Sequence, residues 1–304
     1  MKKFLITGGA GFVGSHLAEE LIKKGESVTI LDDLNTGKMN NLEKIKDKID
    51  FAKGDIRDRN LLKEICKKKD GIFHLAARAS VQESFIKPEE YQDVNVKGTE
   101  NVFKQAREYG IKVVYASSSS VYGNPIELPI KEDAPLNPIN PYAQNKVDEE
   151  KLAQKYAKEG LKVIGMRYFN IFGERQSKEY AGVVKLFLEC IENKLPPKIN
   201  GDGLQARDFV YVKDVVNANI LAMESSIDHA FFNVGTNSNI SVLELANTMI
   251  QAKNLDMEPI FGPTLEGDVK FTIADINLIK KSLNWNPTMT IQEWLKQKIS
   301  NKNI

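Results

Sequence analysis

The octapeptide TGGAGFVG, Thr7 to Gly14, follows a short apolar run (Phe4 to Thr7) and opens an amphipathic helical pattern from Val13 to Lys24, with Leu17, Leu21 and Ile22 inward. Few segments restrict a fold more. Glycines at Gly8, Gly11 and Gly14 permit a tight turn, close approach of backbone to a pyrophosphate, and close packing of a helix on a sheet. The amino end of the following helix adds N–H donors and partial positive charge. Gly8, Gly11, Phe12, Val13 and Gly14 are therefore the expected phosphate loop of a dinucleotide site.

The rhythm after this loop predicts the architecture. Apolar strand patterns recur at Ser27–Leu31, Ile49–Phe51, Ile72–Leu75, Val113–Ala116 and Leu161–Met166, with long helical patterns at Asn95–Tyr109 and Tyr142–Lys158. Strand and helix in strict alternation imply an α/β fold, a Rossmann-type doubly wound parallel sheet. After Arg167 the pattern becomes mixed, with loops at Pro196-Pro197 and Gly201-Asp202-Gly203. A smaller mixed α/β substrate lobe is expected there, interleaved with the larger unit. Residues 1–170 and about 208–235 form the Rossmann-type dinucleotide-binding domain in this reading, and about 171–207 and 236–304 the lobe.

Lys+Arg 42 against Asp+Glu 41 leaves a formal charge of +1, which argues against a nucleic-acid or membrane partner held by bulk charge. Cys66 and Cys190 lack metal-ligand spacing and suit a reduced, cytoplasmic protein. His16, His74 and His229 are too scattered to suggest a metal site. The start Met1-Lys2-Lys3-Phe4-Leu5-Ile6 imitates a signal peptide, but its apolar run stops too early, and no stretch reaches the roughly 18 apolar residues of a membrane span.

Asp32 closes the second strand, where a carboxylate accepts hydrogen bonds from an adenosine ribose and repels a 2′-phosphate; this favours NAD over NADP. Asp33 is the alternative partner. Asp55 and Ile56 either frame the adenine or form an ordinary solvated loop. Tyr142 and Lys146, four apart at the start of a helix, share a face. An ammonium beside a phenol favours loss of the phenol's proton, so Tyr142 can take a proton from a substrate hydroxyl while its carbon gives up hydride. Ser118, at the end of the fifth strand, can relay a proton or hold the same oxygen.

Ordered motifs along the whole chain then become informative: TGGAGFVGSHL, LDDLNTG, GDIRD, HLAARASV, NVKGTENV, SSSSVYG, PYAQNK, RYFNIFG, RDFVYVKDV, FNVGT and a late GD…ADI. The chain resembles the extended short-chain dehydrogenase/reductase superfamily, and within it the UDP-glucose 4-epimerase group. The resemblance implies Ser118, Tyr142 and Lys146 as catalytic residues, with Lys146 also gripping the nicotinamide ribose. It adds Ala76, Ala77 and Asn95 to the cofactor site, and Asn170, Arg207 and Asp268 as contacts to a nucleotide diphosphate and its ribose. It further implies a homodimer through the helices Asn95–Tyr109 and Tyr142–Lys158, with Val102, Phe103, Leu152 and Tyr156 as candidate contacts or core residues. The implied reaction is NAD-dependent 4-epimerisation of a UDP-hexose.

Departures from the family pattern qualify the substrate. Leu265 stands where RxGD has arginine; losing such a charge-assisted contact weakens binding by about 1.5–3 kcal/mol unless Lys270 or another cation replaces it. Glu174 replaces a usual proline, a loop change expected to have no chemical meaning. Thr272, by its spacing to Asp275, takes the place of a bulky tyrosine of glucose-only epimerases, which would leave room for a 2-acetamido group. Ser119 and Ser120 replace the Asp-Glu of 4,6-dehydratases, and Ser120 the Glu of UDP-glucuronate decarboxylases. A UDP-glucuronate 4-epimerase, with Arg175 or Lys178 binding the carboxylate, is the alternative; a non-catalytic NAD-sensing protein is a remote one.

Overall fold

Seven parallel strands form the spine of the computed structural model, which describes residues 1–176, 182–267 and 269–300. Six come in chain order: β1 Lys3–Thr7, β2 Ser27–Asp32, β3 Ile49–Lys53, β4 Gly71–His74, β5 Lys112–Ser118 and β6 Val163–Tyr168. The seventh, His229–Val234, pairs with β6, so the order across the sheet is His229–Val234, β6, β5, β4, β1, β2, β3. This is the doubly wound arrangement the alternation implies. Leu5, Ile6, Ile30, Ile72, Phe73, Val113, Val114, Val163 and Ile164 are wholly buried. Helices on both faces hide these strands, which is why they read as continuous apolar runs.

The helix Phe12–Lys23 buries Leu17 and Leu21. The helix Pro141–Lys158 starts with proline in its first turn, and the Asn140 side chain caps it by accepting from the Ala143 N–H at 2.8 Å. The pattern expected as one helix from Asn95 instead divides into a π-helical stretch, Gln92–Lys97, and an α-helix, Gly98–Glu108. Val102, Phe103 and Tyr156 belong to the chain's own core, and Leu152, partly buried, packs on it.

Beyond β6 the chain crosses back and forth. Val212–Glu224 returns to the sheet, with Val215, Val216, Ala218 and Ile220 in the same core as Leu17 and Leu21. The lobe has its own core, including Phe172, Phe187, Ile199, Tyr211, Leu245, Met249 and Trp294. Short pairs hold it together: Asn170–Phe172 with Phe209–Tyr211, Ala206–Arg207 with Ile240–Ser241, and Lys198–Asn200 with Ile260–Gly262. One segment departs from the expected division. The helix Asn277–Leu283, within the span assigned to the lobe, buries Ile279 and Leu283, and with Ile276 and Trp285 these join the large core. The Trp285 indole donates to the Asp214 carbonyl at 2.9 Å, which fastens this return.

His74 is locked between Thr7 and Thr99 hydroxyls at 2.7 and 2.8 Å, and burial pushes its pKa down to about 3. It is a core histidine. Among the described residues no group of three or more acidic, histidine or cysteine side chains could hold a metal, and no helix is long and apolar enough to cross a membrane.

Candidate active site

A cavity of about 330 Å³ opens at the carboxyl ends of β1 and β4, where the strand order reverses. Its floor is the glycine turn: Gly8, Gly11, Phe12, Val13 and Gly14 all line it. Gly8 has φ +71°, and a Cβ there would meet the Ala76 backbone nitrogen at 2.7 Å. A Cβ at Gly14 would sit 2.3 Å from the Gly8 carbonyl oxygen. The turn therefore closes only with glycine at these two positions, and the helix Phe12–Lys23 begins at the cavity, with Phe12, Val13 and Gly14 on its lining. Gly14→Ala is expected to displace the turn and reduce NAD retention more than tenfold, since backbone cannot yield as a side chain can. Cofactor content of purified protein, with circular dichroism as a folding control, checks this.

The remaining cofactor residues surround the turn. Asp32 is buried; it accepts from the Ala10 N–H at 2.9 Å and the Leu34 N–H at 2.8 Å. Burial raises its pKa, and those two donors oppose the rise. Asp33 instead holds the Arg78 guanidinium at 2.9 Å. Asp55 lines the wall with Ile56, its carboxyl pulled below the usual range by hydrogen bonds from Arg57. Ala76 and Ala77 complete that side. A cradle a Cβ would fill, a buried acid at the end of β2 and an apolar wall fit a dinucleotide. Asn95 differs from expectation: fully buried in the π-helical stretch, it clamps the Arg78 backbone, accepting from its N–H at 2.8 Å and donating to its carbonyl at 2.9 Å. It shapes the wall from behind and does not line the cavity.

Ser118, Tyr142 and Lys146 line the opposite side of the same cavity. The Lys146 ammonium lies 5.8 Å from the Tyr142 ring centroid and donates to the Ala116 carbonyl at 2.8 Å and to Glu149 at 2.9 Å. Burial works against this ammonium, but Glu149 and Tyr142 outweigh it, so its pKa is raised. Ser118 Oγ accepts from the Ser120 N–H at 3.2 Å, leaving its own proton to donate. Tyr142 is steadied through its backbone N–H, which donates to Ser84 Oγ at 3.2 Å.

The expected substrate contacts do not join this cavity. Asn170, from its backbone N–H and its side-chain amide, donates to the Asp208 carbonyl at 3.0 and 3.2 Å. Arg207 donates to the Ala206 and Lys270 carbonyls and borders a separate hollow of about 190 Å³ with Phe209 and Ser238. Thr272, expected beside the sugar, is only 6% exposed and its hydroxyl accepts from the Asp208 N–H at 3.2 Å; it faces into the lobe. Asp268 and Lys178 lie outside the described residues. Leu265 is exposed, just before a turn in which the Glu266 carbonyl accepts from the Gln82 amide.

The sequence does not single out Asp208, Gln176 or Glu149, and it gives Glu174 and Arg175 roles that differ from their observed contacts. Asp208 is fully buried, and its carboxylate accepts from the N–H groups of Thr236, Asn237 and Ala274 and from the Thr236 hydroxyl. Burial lifts its pKa to about 6 against those donors. Glu174 is no idle replacement for proline, because it accepts from the Trp294 indole at 3.2 Å and the Tyr211 hydroxyl at 3.3 Å. Arg175, proposed for a substrate carboxylate, is bound to Glu19, to His16 Nδ1 and to the Asn41 carbonyl. Gln176, next in the chain, lines the cavity. Helical spacing from Lys146 was the available signal for one more, Glu149.

Comparison with known proteins agrees with the geometry. Residues 4–235 match the NAD dependent epimerase/dehydratase family. The chain is 38% identical over 301 residues to a putative UDP-glucose 4-epimerase of Methanocaldococcus jannaschii, covering 97% of each. It is 35% identical over 311 residues to a UDP-N-acetyl-alpha-D-glucosaminuronate decarboxylase of Bacillus cytotoxicus, covering 98% of this chain and 97% of that one. The crystal structure of the Thermotoga maritima UDP-glucose 4-epimerase with UDP-glucose superposes with a TM-score of 0.93 at 35% identity, covering 98% of this chain and 97% of that one. With the glycine cradle, the buried Asp32 and the Ser118–Tyr142–Lys146 group in one cavity, the chain belongs to the NAD-dependent epimerase/dehydratase family of the extended short-chain dehydrogenase/reductases.

Proposed function

We propose that this protein inverts the 4-hydroxyl of a UDP-hexose (glucose and galactose, or their 2-acetamido counterparts) through a transient 4-keto sugar. The observation that carries this reading is the group around Ser118 at the cavity, where Tyr142 is placed as the base and no carboxyl follows the serine. Tyr142 stands beside Lys146 and Ser118, while positions 119 and 120 are serines. Its relatives include both an epimerase and a decarboxylase, so the distinction matters. Dehydration or decarboxylation of a sugar in this family uses an added acid or base at those positions, and a serine hydroxyl does not titrate near neutrality.

NAD, when bound, supplies the hydride acceptor and later the donor. The protein's own work is proton transfer and charge. Tyr142 takes the proton of the 4-hydroxyl, helped by the Lys146 ammonium whose position is set by the Ala116 carbonyl. Ser118 donates to the same oxygen, since its Oγ already accepts from the Ser120 N–H. After the keto sugar turns about its diphosphate, Tyr142 returns the proton, and no external reductant is consumed.

Of the two cations suggested for a uronate, Arg175 is committed to Glu19 and His16, and Lys178 lies outside the described residues. A pure NAD sensor has no use for a buried ammonium beside a phenol. NMR time courses with UDP-glucose and UDP-N-acetylglucosamine, without added reductant, test the proposal. The galacto epimer is the expected product. Unchanged sugars with NAD still bound would overturn it.

A further inference from the structure

The helix face that carries Tyr142 and Lys146 continues to Glu149, which is 1% exposed. Its Oε2 accepts from the Lys146 ammonium at 2.9 Å, and its Oε1 has no hydrogen-bond partner among the described residues. A buried carboxylate left half-satisfied is costly, and proteins keep few of them. We propose that Glu149 is a positioning residue for the Tyr142–Lys146 pair: ionised, it neutralises the Lys146 ammonium, and when it takes up a proton that charge is freed to act on the phenol. The idea rests on Tyr142 being the base of the reaction proposed above.

The neighbours leave this role to Glu149. On its own helix are Tyr142, Asp148 and Glu150; Glu150 is bound at both oxygens by Arg167 of β6, at 2.8 Å each. β5 contributes Tyr115, whose buried hydroxyl likewise lacks a partner among the described residues, and β4 contributes the neutral His74. Tyr122, in the turn Ser119–Tyr122, is tied to Arg167 and Asn233. On the helices packed against this one, Glu83, Glu90, Asp93 and Glu100 pair with Lys87, Arg78, Arg57 and Lys104. Burial pushes the Glu149 carboxyl up to about 7, against the pull of Lys146. On this proposal the group changes charge within the working range of an ordinary enzyme.

The sign follows. Above the Glu149 midpoint the buried pair is neutral overall and the phenol keeps its proton more firmly. Below it, or with glutamine in place of the acid, the ammonium is uncompensated and phenolate is favoured. Two titrations that oppose each other give the parent protein a shallow acid limb in kcat/KM.

The test uses the NAD-loaded protein. In Glu149→Gln, the near-ultraviolet phenolate signal that disappears in Tyr142→Phe should come in about one pH unit lower than in the parent, a shift on the scale of one nearby buried charge. The acid limb of kcat/KM should move the same way and steepen. Glu149→Leu serves as a second variant without any carboxyl. In the parent itself, infrared difference spectra should show a protonated carboxyl band that is lost as pH rises through about 7. An unshifted or upward-shifted phenolate signal, or no such carboxyl band, overturns the proposal. Absence of turnover on every UDP-sugar with the phenolate shift intact would instead remove the functional reading and leave the role of Glu149 in the pair standing.

Discussion

Tyr142→Phe should lower turnover by about 10²–10⁴-fold, the range that a positioned acid–base group contributes, and leave NAD content unchanged. The separation of the two effects is structural. The substitution removes one hydroxyl at the cavity edge, while Lys146 stays fixed by the Ala116 carbonyl and Glu149, and the glycine turn lies on the far side. NMR rates and cofactor absorbance of the same preparation measure both. Unimpaired activity would remove Tyr142 as the base, whereas loss of NAD together with activity would show that the phenol supports the cofactor site more than the chemistry.

The largest expected effect on stability lies behind that site. Arg167, 4% exposed, makes two bonds to Glu150, one to the Tyr122 hydroxyl at 2.7 Å and one to the Glu132 carbonyl at 2.7 Å. Ser117 adds a bond to Glu150 at 2.6 Å. Arg167→Met would strand the Glu150 charge in the interior, and breaking a buried pair this way costs about 3–5 kcal/mol. Urea denaturation should show it as a lower midpoint. Replacing both members, Arg167→Met with Glu150→Leu, should recover much of the loss, because no unpaired charge is left. A double variant as unstable as the single one would show that the network matters through Tyr122 and Glu132, not through charge.

The large domain was legible because its signals are local. Period, apolar runs and the glycine turn each depend on residues a few positions apart, and they led to the sheet and to one cavity containing Ser118, Tyr142 and Lys146. The lobe was not, because its order depends on contacts far apart in sequence. Asn170, Thr272 and the turn after Val234 all converge on Asp208, which in sequence is one acid among 41 Asp and Glu residues. Glu149 was hidden for a related reason. A glutamate on a long helix reads as solvated surface until the packing shows it inside. Asn95 and Arg175 were recognised as polar residues near a site, but Asn95 is held by the Arg78 backbone and Arg175 by the half-buried Glu19, His16 and the Asn41 carbonyl.

The Asp208 hub also limits how this lobe can diversify. Strand Asn170–Phe172, turn Thr236–Asn237 and the Thr272–Ala274 stretch are tethered to one residue, so a change in any of them disturbs the others. Selection for a new sugar would meet correlated losses there. Leu265 is exposed and has no bond to the hub among the described residues, so an arginine gained there would leave the packing of the lobe undisturbed while adding a charge for a ligand.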